Sequence, residues 1–160
     1  WVFPVDGSAG WEISAGLHAF LGSARRLIGL SQLDWSPHSD QIAFAASYSG
    51  NDSIFIINQD GGQLTQLTEN VPYSANPVWS PSGDRILFLA LGFPGIDIWV
   101  IDSDGTNPTN LTRGSAAWNR SPAWSPDQTR IVFQSNRAGN EDIWIMAADG
   151  SGPVNLTGNP

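Results

Sequence analysis

The sequence predicts an all-β chain assembled from repeated four-stranded units, and three observations predict it. The triplet Trp-Ser-Pro recurs at Trp35, Trp79 and Trp124, a spacing of 44 and then 45 residues. Other landmarks keep those offsets: Ile42, Ile86 and Ile131 are each followed two places later by Phe44, Phe88 and Phe133, and an aromatic follows at Phe55, Trp99 and Trp144. The third observation is turn chemistry at fixed positions, with an Asp-Gly pair at Asp60, Asp104 and Asp149 and a Leu-Thr pair at Leu67, Leu111 and Leu156. Repeats of about 40 to 45 residues with four strands each, arranged radially, build a β-propeller. The expected fold is therefore an incomplete propeller of antiparallel blades, three of them full and part of another before them.

Within a repeat, the first strand ends at Trp-Ser-Pro. The second carries the Ile-x-Phe alternation, which puts both side chains on one face of a strand. The third is apolar on successive residues, as in Ile98-Trp99-Val100-Ile101, so both faces of each small sheet should be covered. The fourth contains the Leu-Thr pair. Pro81-Ser82-Gly83-Asp84 supplies a turn between first and second strands, and Asp104-Gly105 a hairpin between third and fourth. These landmarks divide the chain into blades at 34–77, 78–122 and 123–160. Residues 1–33 hold the end of an earlier blade, with Trp1 to Gly7 as a third strand and its turn, and an insertion of undefined shape around Leu17 to Leu30.

Composition narrows the function. Fifteen acidic residues against seven arginines leave a net charge of −8, which repels the phosphates that supply most nonspecific nucleic-acid affinity. With no cysteine there is no disulfide, thiolate metal site or thiol nucleophile. The longest apolar run, Ile86 to Leu91, falls far short of the roughly 20 residues of a membrane-spanning helix.

The pattern of Trp124-Ser125-Pro126-Asp127, then Ile131 and Phe133, then Ser135-Asn136-Arg137-Ala138-Gly139-Asn140-Glu141-Asp142-Ile143-Trp144, then Asp149-Gly150 and Leu156-Thr157 resembles the repeat of TolB-like β-propellers. The resemblance covers Asp34 to Pro160. It implies an exported protein, periplasmic or extracellular, that engages other proteins through its propeller. Ser39 and Gln128 depart from the pattern where glycine is usual, and Ala46-Ser47-Tyr48 and Ala90-Leu91-Gly92 replace the Ser-x-Arg element.

No nucleophile elbow, phosphate loop or zinc motif occurs, and no cofactor is expected. His18 and His38 stand apart and read as loop residues. Asp97 and Asp142, with Asn140 and Glu141, offer oxygens to a hard cation. The plainer reading is a loop fastener, with Arg137 as a donor to Asp142. The repeated tryptophans, Trp35 among them, read as packing between blades. Loops from fourth to first strand and from second to third open on one face of a propeller. That face gathers the candidate partner-binding residues Tyr48, Tyr73, Phe93, Trp118, Asn119, Arg120 and Arg137, aromatic and arginine side chains of the kind that make protein-binding hot spots. The competing reading folds Tyr73 and Trp118 back over the rim of the core.

Two functions stay open. One is a non-catalytic protein-binding scaffold within a larger complex; the other is the gating propeller of a serine peptidase whose hydrolase domain lies outside this chain. A metal-dependent sugar lyase on the same propeller type would need a histidine cluster that the sequence lacks. Closed propellers have about four to eight blades, so the chain is expected not to close a ring by itself. Trp1 to Val5 should then lie in a sheet before the Trp35 blade, and the far side of the Trp124 blade should have no neighbour in this chain.

Overall fold

The computed structural model describes residues 28–48, 50–71, 73–92 and 94–158. The expectations placed on Trp1 to Val5, His18 and Phe93 lie outside these residues.

Twelve strands form three antiparallel four-stranded sheets, each in simple up-and-down order among the described residues. Blade 1 is β1 (Ile28–Trp35), β2 (Gln41–Tyr48), β3 (Asn51–Asn58) and β4 (Thr65–Gln66). Blade 2 is β5 (Ser74–Trp79), β6 (Arg85–Leu91), β7 (Ile96–Asp102) and β8 (Thr109–Asn110). Blade 3 is β9 (Asn119–Trp124), β10 (Arg130–Ser135), β11 (Asp142–Ala147) and β12 (Val154–Asn155). Two expectations shift. Strands β5 and β9 straddle the boundaries at 77/78 and 122/123, and β1 begins at Ile28, inside the segment read as an insertion. The fourth strands end one residue ahead of the Leu-Thr pair, although the leucine amides still donate across to Ile54, Ile98 and Ile143 (2.8–2.9 Å).

The alternation of the second and third strands explains why sheets of this sequence stack. One face of blade 2 carries Trp79, Ile86, Phe88, Trp99 and Ile101 and packs on Ala43, Ala45, Ile54, Ile56 and Leu67 of blade 1. The other face carries Leu87, Leu89, Ile98, Val100 and Leu111 and packs on Trp124, Ile131, Phe133, Trp144 and Met146 of blade 3. Phe44, Phe88 and Phe133 are all buried, each contributing about 1.5–3 kcal/mol by leaving water. Trp79 is buried between blades as expected, and Trp124 is half-buried in the next interface with the Arg85 guanidinium 4.8 Å over its ring. Trp35 differs: it lies on the side of blade 1 away from blade 2 and is 48% exposed.

Polar ties reinforce the stack. Asp34 accepts the backbone N–H of Trp79 (2.7 Å), His38 Nε2 donates to the carbonyl of Pro81 (2.8 Å), and Ser82 donates to the Gln128 side chain. Each first strand also carries a β-bulge, and Gln32, Asn76 and Ser121 hold positive φ there at matching repeat positions. A bulge re-aims the head of its strand, and in each blade the positive φ falls three residues before the tryptophan that ends the first strand.

Candidate protein-binding face

The loops joining second to third strands and one blade to the next share one face. On it a cleft of about 270 Å³ lies where blade 2 meets blade 3 and is lined by Tyr73, Leu89, Leu91, Ile96, Arg120 and Ser121, among others. Tyr73 and Leu91 are 51% and 58% exposed. Tyr73 sits at φ +55°, a left-handed conformation that an aromatic residue adopts only when its surroundings enforce it. Beside the cleft, Arg120 stacks its guanidinium 4.8 Å from the Trp118 ring and pairs with Glu141 at 3.6 Å. Trp118 itself is 46% exposed, and its backbone N–H donates to the Asn136 side chain (2.9 Å). Tyr73 and Trp118 thus each keep about half of their surface in solvent.

The other candidates separate from this cluster. Asn119 is fully buried and satisfied from within. Its Nδ2 donates to the carbonyl of Ile96 (2.8 Å) and to the hydroxyls of Ser115 (3.0 Å) and Thr112 (3.3 Å), while its Oδ1 accepts from Ser135 (2.8 Å) and from Arg137 Nη2 (3.0 Å). Its side chain is therefore a latch between blades 2 and 3 and has nothing left to offer a partner. Arg137 belongs to the same latch. Its guanidinium lies about 5 Å over both Phe133 and Trp144, and burial pulls its pKa below the ordinary arginine value while the charge of Asp97 opposes that shift. Tyr48 stands on blade 1 edge-on to Phe55, away from the cleft and half-buried against its apolar cluster.

The repeated carboxylates act as fasteners, with donors other than those expected. Asp97 accepts from Asn110 Nδ2 and Thr112 Oγ1, both at 2.9 Å, and Thr112 Oγ1 in turn accepts the N–H of Ile98 (3.0 Å). Blade 3 repeats the arrangement with Asp142, Asn155, Thr157 and the N–H of Ile143. Arg137 thus serves the Asn119 latch and is not the donor to Asp142. The threonine of each Leu-Thr pair has its reason here: Thr68 likewise accepts the N–H of Ile54 (2.9 Å) in blade 1.

Leu91 and Ile96 join the face although neither stood among the candidates, and Glu141, read from the sequence only as a possible cation ligand, joins it as the partner of Arg120. Leu91 closes an apolar run that reads as buried strand, and its only signal was that it stands where the Ser-x-Arg element is missing. Ile96 lies at the start of a third strand, where it lines the cleft and forms a parallel bridge to Trp118 of the next blade.

No protein-family model and no curated protein matches this sequence. Solved structures do. A protein described as a TolB from Agrobacterium tumefaciens is 29% identical with a TM-score of 0.75, over 83% of this chain and 48% of that one. TolB from Acinetobacter baumannii is 22% identical with a TM-score of 0.67, over 82% and 32%. A puromycin-hydrolyzing peptidase from Mycobacterium tuberculosis shares the fold at 18% identity and a TM-score of 0.69, over 86% of this chain and 24% of that one. This chain thus spans less than half the length of each of these structures.

Proposed function

We propose that this chain, a TolB-like β-propeller segment by repeat and by fold, is a non-catalytic scaffold that binds other proteins through the face where blades 2 and 3 meet. The observation that carries the reading is the cluster at a cleft of exposed Tyr73, Leu91 and Trp118 with part-exposed Arg120. Aromatic and arginine side chains presented at little entropic cost by a rigid scaffold are the composition of binding hot spots. The cleft is smaller than the roughly 300–1,000 Å³ of small-molecule pockets, which favours a protruding side chain over a free metabolite. The likeness to TolB favours a periplasmic or extracellular setting and membership of a larger complex. The likeness to a peptidase keeps a gating propeller as the second reading.

The test is capture of partners from a cell-envelope extract by the immobilised chain, followed by affinity measurements on each captured protein. Trp118→Ala and Arg120→Ala should each weaken binding roughly 10-fold or more while lowering the melting temperature less than a core truncation would, because each side chain keeps nearly half of its surface in solvent. Unchanged affinity for every captured protein in the double variant would remove this face from the function. A co-purifying hydrolase that still needs the chain for size selection would favour the gating reading.

A further inference from the structure

The cleft between blades 2 and 3 joins an apolar floor to a polar rim with bonds to spare. Its buried lining is apolar, Leu89 and Ala90, with Ile96 half-buried beside them. Tyr73, Asn76 and Ser121 also line it, each held at a left-handed φ between +50° and +56°, and none of their side chains has a hydrogen-bond partner among the described residues. Arg120 brings the only charge of the described lining. Its contact with Glu141, at 3.6 Å, is longer than a hydrogen bond, and both side chains reach solvent. The guanidinium therefore keeps its donors available, while the Trp118 ring 4.8 Å away holds it in place.

We propose that this cleft captures the C-terminal residue of a partner protein, its apolar side chain on Leu89 and Ile96 and its free α-carboxylate on Arg120, with the Ser121 hydroxyl as a further donor. The assignment rests on the protein-binding reading above and names the chemistry of the partner. Charge decides the class of group: a guanidinium in a lining without an acidic side chain selects an anion, and a carboxylate can take two parallel N–H bonds from it. The size of the cleft decides the source. A carboxylate on an Asp or Glu side chain arrives with the chain running on in both directions, and the nearest apolar side chain hangs from a different carbon. A chain end carries carboxylate and apolar side chain on one carbon, so about 270 Å³ serves both. Glu141 is then a competitor, which occupies the guanidinium loosely in the free protein and yields it to the ligand.

Titration of the chain with an N-acetylated peptide ending in Gly-Ser-Gly-Leu, followed by NMR at the methyl groups of Leu89, Leu91 and Ile96, tests the assignment. Those methyls should shift with the free acid, and the C-terminal amide of the same peptide should bind roughly 10-fold more weakly. Arg120→Gln should abolish the preference for the acid. Glu141→Gln should tighten binding of the acid roughly 2- to 5-fold by removing the competing carboxylate, a gain that a purely structural ion pair would not give. Equal binding of acid and amide would overturn the proposal, as would an amidated peptide with an internal Leu-Asp pair that binds as tightly as the chain end. So would unmoved cleft methyls at about 10 mM peptide. In each of these cases a captured protein that still loses affinity with Trp118→Ala leaves the binding face standing, so the two readings fail separately.

Discussion

The two ends of the blades are built on different terms. At the turn end, Asp60, Asp104 and Asp149 each accept the amide two residues on, at 2.8, 2.9 and 2.9 Å, and the glycine after each holds φ between +83° and +86°. The residues two beyond those glycines, Gln63, Asn107 and Gly152, repeat a positive φ as well. At the loop end, matching positions read Ala46-Ser47-Tyr48, Ala90-Leu91-Gly92 and Ser135-Asn136-Arg137, and the last enters the Asn119 latch. The turn end is held by backbone torsions that demand a residue class, so it recurs. The loop end shares the threonine fastener at each third strand, but its connections between second and third strands differ from blade to blade and are free to carry a binding surface.

If that contrast is right, the largest losses come where backbone meets backbone. Gly150→Ala forces a Cβ into a left-handed turn and against the Leu111 carbonyl, and should cost roughly 2–4 kcal/mol. Gly95→Ala is sterically worse, with the Cβ 2.0 Å from the Ala117 oxygen, but Gly95 does not hold a left-handed φ, so the overlap is its only cost. Urea denaturation of both variants sharpens the comparison: the Gly150 variant should lose at least as much as the Gly95 variant despite its milder overlap. A near-neutral Gly150→Ala would break the idea that the turn end is locked by its backbone.

Asn119→Ala comes next. It strips the latch of its centre and leaves the hydroxyl of Ser135 and an N–H of Arg137 without their acceptor, so a loss of about 2–3 kcal/mol is expected. The matching residue of blade 2, Ser74, is equally buried but makes one bond, to the Val71 carbonyl (2.6 Å). Ser74→Ala should cost only about 1 kcal/mol. Equal losses at the two positions would show that the latch adds nothing beyond a single buried hydrogen bond.

The division between the ends also explains what the sequence could tell. The strands and turns were legible because their cause is local: the Ile-x-Phe period and the Asp-Gly pair act within a few residues of themselves. The start of β1 was hidden because Ile28 to Leu30 precede any landmark, and a first strand has no signature until Trp-Ser-Pro ends it. On the loop face, residue type alone grouped Asn119 and Arg137 with Trp118 and Arg120. Trp118, Asn119 and Arg120 are consecutive in sequence, yet Asn119 is buried in the joint and its two neighbours reach the loop face, a consequence of strand alternation that begins only at that residue. Arg137 could not be assigned without knowing that the bulge brings Asn119 within reach.

A smaller effect tests the turn end by pH. The carboxylate of Asp127 accepts from Ser125 Oγ and from the backbone and hydroxyl of Thr129, which together bring its pKa from the ordinary 3.8 to about 2. Its folded value lies below the unfolded one. The stabilisation it gives is therefore present above about pH 4 and lost as pH falls through about 2. Carbon-13 titration of the carboxyl should find that midpoint, and Ser125→Ala should move it upward. A midpoint near 3.8 in the unmutated chain would mean that the turn is not held by this carboxylate.

The smallest expected effect is a gain. Gln128 holds φ +60° at the position where blade 2 has Gly83 at +74°, and a side chain in that region costs about 1–2 kcal/mol of backbone strain. Gln128→Gly removes the strain, gives up the exposed hydrogen bond that Ser82 donates to the glutamine, and loosens the unfolded chain. The balance should be a stabilisation of about 0.5 kcal/mol, or roughly 1–2 °C in melting temperature. Ser39 occupies the same place in blade 1 without a positive φ, so Ser39→Gly relieves nothing and should lower stability slightly through the unfolded state alone. Opposite signs at two equivalent positions are expected because the turn end imposes a torsion in one blade and not in the other. If both glycine variants moved the melting temperature in the same direction, composition at the turn rather than its φ would be setting the stability there.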